Sequence, residues 1–157
     1  MKDGVFKATG LGKEDMVQYL YDFVLCFSVK VICMKKVAIL VNEDTMQRCS
    51  CGGCLRALFE KKDSFARYGD EELELVGMTH FGGDLAKKIE TLRKKGVDVV
   101  HLSTCTKSKN ENYEAIADAC AEYFDVVGYT HGSPDGKGKG KMAVELSARH
   151  PKTTEES

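Results

Sequence analysis

At 157 residues, with 23 basic against 24 acidic side chains and a net charge of −1, the chain has the length of one domain with a buried core. No basic field exists to drive nucleic-acid binding or adhesion to a membrane surface, so neither partner is expected. Seven cysteines are many, but the count is odd and the spacing is not that of a disulfide scaffold. With no export signal recognisable, the reading is a reducing cytoplasm with thiols free or metal-bound.

The run from Met16 to Cys33 is apolar enough to raise a membrane question. Asp22 and Lys30 interrupt it, Gln18 and Ser28 dilute it, and a membrane span is the lesser reading. Met34-Lys-Lys followed by V-A-I-L-V reads as the opening of an α/β domain. Residues 1–33 are therefore expected to be an N-terminal extension, not native to the domain, with Cys26 and Cys33 incidental. The domain proper is expected over 34–132 and a flexible tail over 133–157.

Lys36 to Val41 is a continuous β-branched and apolar run, the pattern of a strand buried on both faces. A polar loop, Asn42 to Cys51, precedes a helix expected from Gly53 to Tyr68, closed by Gly69. Glu74 to Thr79 is the second strand. Gly82-Gly83 opens a helix with Asp84 near its start and Leu85, Ile89 and Leu92 on one face, stopped by Gly96. Val97 to Ser103 is the third strand, and Asn112 to Phe124 a helix with Tyr113, Ile116 and Cys120 inward. Val126 to Thr130 is the fourth strand, and a short helix is expected near Met142 to Ala148. The alternation implies right-handed crossovers and an α/β fold: a three-layer, flavodoxin-like arrangement with a four-stranded parallel sheet in the order 2-1-3-4.

Chemistry gathers at the strand ends. Cys49, Cys51 and Cys54 occupy R-C-S-C-G-G-C after the first strand, His80 ends the second, Cys105 follows the third and His131 the fourth. In a parallel sheet those ends share one edge, where ligands usually bind. Thiolates spaced two and three apart can turn toward one centre if glycine frees the backbone, as Gly52 and Gly53 do. Three sulfurs, with a fourth donor from Cys105, His80 or His131, would close a tetrahedral zinc site, and soft donors favour zinc, iron or copper over magnesium or calcium. The rival is redox: Cys51-Gly-Gly-Cys54 is a C-x-x-C at a helix start, where exposed N–H groups favour a thiolate. His101, inside the third strand, reads as a hydrogen-bonded structural histidine with a ligand role as the alternative, Cys120 as a core thiol, and His150 as background.

These residues carry a resemblance. An M-K-K-V-A-I-L start, R-C followed by G-C-L-R-A, V-G-M-T before Gly-Gly, V-D-V-V-H-L-S-T-C-T and V-V-G-Y-T-H-G make the segment 34–132 similar to the CGGC-domain family. The resemblance implies a small α/β domain and metal binding, zinc having been suggested for the family from its cysteines and histidines. It places Cys49, Cys54, Cys105, His101 and His131 on positions the family fills alike. The family's central Cys-Gly-Gly-Cys falls by context on Phe81-Gly82-Gly83-Asp84, where both cysteines are missing.

The expectation is a metal-binding protein, zinc first, with a Cys/His site of Cys49, Cys51, Cys54, Cys105, His131 and His80. Its partner is the metal ion. Two alternatives stand beside it: a thiol–disulfide protein in which Cys51 attacks and Cys54 resolves, and an interaction module whose site has decayed.

Overall fold

The computed structural model describes residues 34–135 and 142–152. The expectations for residues 1–33, Cys26 and Cys33 included, and for the Lys-Gly alternation at 136–141 lie outside the described residues. Among the described residues no helix is long and apolar enough to cross a membrane.

Five strands form one sheet in the order β2-β1-β3-β4-β5: β1 Lys35–Val41, β2 Leu73–His80, β3 Val99–Leu102, β4 Asp125–Val127 and β5 Glu145–Leu146. The first four run parallel, and β5 pairs antiparallel to β4 with Val126 opposite Leu146. The count and order thus differ from the four-stranded expectation by an added edge strand. The segment expected as a short C-terminal helix, Met142 to Ala148, supplies that strand instead. Tyr113 explains the change: its hydroxyl donates to the Gly128 carbonyl (2.7 Å) and accepts from Val144 N–H (3.0 Å). A side chain at Gly128 would run into that hydroxyl and into the Val144 backbone, so the returning chain can lie close only against glycine.

The period-two rule places alternate residues of β1 on opposite faces. Val37, Ile39 and Val41 join Val99 and Val127 under α2 (Gly52–Phe59) and a 3-10 segment (Asp63–Tyr68). Ala38 and Leu40 join Val100, Leu102 and Val126 under α3 (Leu85–Lys94) and α5 (Tyr113–Cys120). Both faces are covered, which makes the three layers, and β1 is buried from Val37 to Val41. Cys120 is fully buried in the second cluster, as expected of a core thiol, and burial pushes it up to about 12.

Other elements differ from the sequence reading. The helix expected from Gly53 to Tyr68 breaks after Phe59, because Lys61 and Asp63 take positive φ values of 48° and 52°. The break turns Phe65 and Tyr68 back onto the sheet, where Phe65 stacks on His101 with ring centroids 4.1 Å apart. A one-turn helix, α1 (Glu43–Met46), sits in the loop after β1, and α4 (Thr104–Lys109) follows β3 under a Ser103 cap. The α5 helix stops at Cys120, four residues short of the expected Phe124.

Candidate metal centre

The fold puts a crevice at the ends of β1 and β3. The chain leaves β1 for α2 on one face of the sheet and leaves β3 for α5 on the other. Adjacent strands whose connections part to opposite faces leave a gap at their carboxyl ends, the usual ligand position of such sheets. Cys49, Cys51 and Cys54 follow β1, and Cys105 follows β3.

Cys51 shapes the first loop. It adopts the left-handed conformation (φ 59°, ψ 12°) at the N-cap of α2, a conformation that costs a non-glycine residue on the order of 1 kcal/mol. That turn folds the chain back, so that the Cys51 N–H donates to the Cys49 sulfur (3.4 Å) and the Cys51 thiol donates to the Cys49 carbonyl (3.7 Å). Cys49 is exposed, Cys105 half-buried, and Cys51 and Cys54 buried. Burial raises the Cys51 thiol, and the neighbouring Cys49 and Cys105 raise it further. Cys54 is pushed up to about 11, again chiefly by burial, against a lowering hydrogen bond from Thr130. Cys105, Cys51 and Cys49 all oppose ionisation of Cys54.

From β4 come Thr130 and His131. The Cys54 sulfur lies 3.2 Å from Thr130 Oγ1 and 3.7 Å from His131 Nδ1. The His131 ring rests over the start of α2, where a Cβ on Gly53 would meet it at 3.3 Å. Thr104 holds this segment: its hydroxyl donates to the His131 carbonyl (2.7 Å) and accepts from the His131 N–H (3.2 Å). The Cys105 sulfur turns to Ser103 Oγ at 2.8 Å.

Beneath the crevice His101 is wholly buried and fully hydrogen-bonded. Its Nδ1 lies 3.2 Å from the Tyr129 carbonyl, which only accepts, so Nδ1 carries the proton. The Ser64 hydroxyl donates to the Thr130 carbonyl (2.9 Å) and therefore receives that same N–H at 3.1 Å. Nε2 is left bare and accepts from the Tyr68 hydroxyl at 2.8 Å. Burial lowers His101 to about 3, so the ring stays neutral at ordinary pH. Both nitrogens are engaged in the core, which fits the structural reading of this histidine and not the ligand reading.

His80 goes elsewhere. At the end of β2, on the sheet edge, its Nδ1 faces Glu43 Oε1 at 3.5 Å and Lys88 Nζ at 3.5 Å. Lys88 is anchored by the carbonyls of His80 and Gly82, each at 2.6 Å. None of its partners is a cysteine. Of the six residues expected to form one site, hydrogen-bond contacts join Cys49 to Cys51 and Cys54 to His131, while Cys105 turns to Ser103 and His80 to Glu43 and Lys88.

As the side chains stand, no group of three or more His, Cys, Asp or Glu among the described residues surrounds a common metal position. The donor types are nonetheless those of a soft cation: cysteine sulfurs and an imidazole, each sulfur resting on a weak partner. The sequence reading missed the hydroxyls that orient them. Ser103, Thr104 and Thr130 stand next to or near Cys105 and His131 in S-T-C-T and Y-T-H-G, so hydroxyls flanking each donor were the available signal.

No curated protein and no solved structure matches the chain. The model of the CGGC domain matches residues 36–131, more than half of the chain, and the match spans all five residues of the crevice. The chain belongs to the CGGC-domain family, a family associated with metal binding.

Proposed function

We propose that the protein binds a transition metal, zinc in the first place with iron or copper as competitors, in the crevice over β1 and β3. Cys49, Cys54 and Cys105 are the core ligands, and Cys51 and His131 complete or exchange with them. The observation that carries this reading is the placement of four thiols and His131 on the connections after β1, β3 and β4, with Cys54 3.7 Å from His131 Nδ1 and Cys49 against Cys51. A bound cation replaces the thiol protons, so uptake releases protons. His80 is left outside the set because Glu43 and Lys88 occupy it.

The redox alternative has less support. A nucleophilic cysteine works as a thiolate, and both Cys51 and Cys54 are buried with raised thiols.

The test is elemental analysis of protein purified without chelator, with thiol titration before and after chelation. About one equivalent of metal that masks at least three thiols supports the reading. Metal-free protein that gains no zinc, and instead cycles a Cys51–Cys54 disulfide, sinks it in favour of redox. Loss of both behaviours leaves an interaction module.

A further inference from the structure

The two margins of the sheet are finished differently. β5 is short, Glu145–Leu146, whereas β2 runs from Leu73 to His80 with β1 on one side only. Among the described residues no strand pairs with its outer side. The groups that side presents follow from the parallel ladder. Lys35 N–H donates to the Glu72 carbonyl (2.8 Å), and Phe81 N–H donates to the Val41 carbonyl (3.3 Å). Peptide groups alternate in direction along a strand, so the backbone of Glu72, Glu74 and Val76 turns toward β1, and beyond the bulge that of Gly77, Thr79 and Phe81. Leu73, Leu75, Met78 and His80 therefore turn outward, unevenly spaced because Val76 has no opposite number on β1.

Such an edge rejects a straight strand. One in register with Leu73 and Leu75 is out of step at Met78 and His80. A second β2, antiparallel about a two-fold axis between Val76 and Gly77, is in step throughout: Leu73 meets His80 of the second copy, Leu75 meets its Met78, and bulge lies opposite bulge. The His80 carbonyl accepts from Lys88 Nζ (2.6 Å) and keeps a second lone pair. Leu75 and Met78 pack on the same face of the sheet, and an axis perpendicular to the sheet preserves that face, so apolar meets apolar. On the other face, with Val76 and Phe81, alternation places Glu72 and Glu74. Both are exposed, and no ion pair engages them among the described residues. The same register sets them opposite Phe81 and Thr79 of the second copy, beside the cavity along which its α3 carries Lys87, Lys88 and Lys95. The glutamates thus enter between two lysine rows that would otherwise repel across the seam.

We propose that the protein is a homodimer built on this edge, β2 pairing antiparallel with β2 of a second copy so that two five-stranded sheets become one. The seam uses no residue of the cysteine crevice, so assembly is independent of metal. Sedimentation velocity of the full chain at micromolar concentration should give a species of twice the chain mass. Met78→Pro removes an outward N–H where an edge strand tolerates proline, and should leave monomer with wild-type circular dichroism. Glu72→Lys with Glu74→Lys should weaken the dimer by at least ~10-fold, and adding Lys87→Glu with Lys95→Glu should recover most of that loss. These exposed positions decide the matter if the proline variant unfolds. Glu74→Cys with Thr79→Cys should oxidise to a disulfide between copies, located by mass spectrometry, since opposed residues of this kind bring their Cα atoms to about 4.5 Å. Along one strand the two positions are too far apart to join. A monomeric wild type overturns the proposal. So does a dimer that the glutamate reversals leave as tight and that yields no 74–79 cross-link, because assembly then uses another face.

Discussion

The ends of β1, β3 and β4 and the end of β2 lie on the same edge of one sheet and carry the same kinds of residue, but they hold them differently. Over β1, β3 and β4 polar groups from three connections meet: Cys54 meets Thr130 and His131, and Thr104 meets His131. At β2, an outer strand with only β1 beside it, His80 meets the loop after β1 alone. It pairs with Glu43 on the neighbouring turn and with Lys88 on α3, in a cavity of about 520 Å³ that also exposes Lys87 and Lys95. Convergence at a sheet edge therefore depends on where a strand lies in the sheet. A residue at the switch between diverging connections gains partners from two further strands, whereas one at the margin gains solvent and a surface polar contact worth little.

The sharpest way to break this contrast is Cys54→Ser. With zinc measured against a competing chelator, affinity should fall by more than the ~10–100-fold that loss of a mere supporting partner costs. Retained affinity would mean that the crevice is not the site.

Acid should expose the floor of the crevice next. Folded His101, lowered to about 3, holds its proton less tightly than the same residue in the unfolded chain, near 6.5. On acidification the unfolded chain is protonated first. The stability contribution is thus whole above pH ~6.5 and is lost as pH falls toward 3, a loss of ~3 kcal/mol between pH 7 and pH 4. Urea unfolding at the two pH values checks it, and a flat profile would show that His101 is not held neutral in the core.

Tyr68→Phe should cost ~1–3 kcal/mol by leaving His101 Nε2 buried without a donor. Zinc affinity should move much less than stability, which separates the floor from the donors above it. The smallest effect belongs to the margin: His80→Ala should change zinc affinity by less than ~2-fold and stability by less than ~1 kcal/mol. A large fall in affinity would return His80 to the ligand set.

Much of the frame was legible in the chain. Val37 to Val41, Val99 to Leu102 and the paired glycines before α3 announce strands and turns through local pattern, and the cysteines after β1 and β3 were placed at the correct ends. The added strand β5 was not legible: Glu145-Leu146 has no strand signal of its own and exists because Gly128 and Tyr113 admit the chain beside β4. The break after Phe59 was equally hidden, since Lys61 and Asp63 take left-handed backbone for the sake of contacts that Phe65 and Tyr68 make with a distant strand. In the site, the two threonines went unnoticed because a hydroxyl declares no chemistry until its neighbours are known.

Hydrophobic runs, glycine punctuation and the residue types at strand ends were enough to determine an α/β chain with thiols and imidazoles along one edge, because those signals act over a few neighbouring residues. Folding in three dimensions decided which of them meet. Strand order, the face each connection takes and the reach of Thr130 between two loops are set by contacts far apart in sequence. They divide His131, which joins Cys54, from His80, which pairs with Glu43.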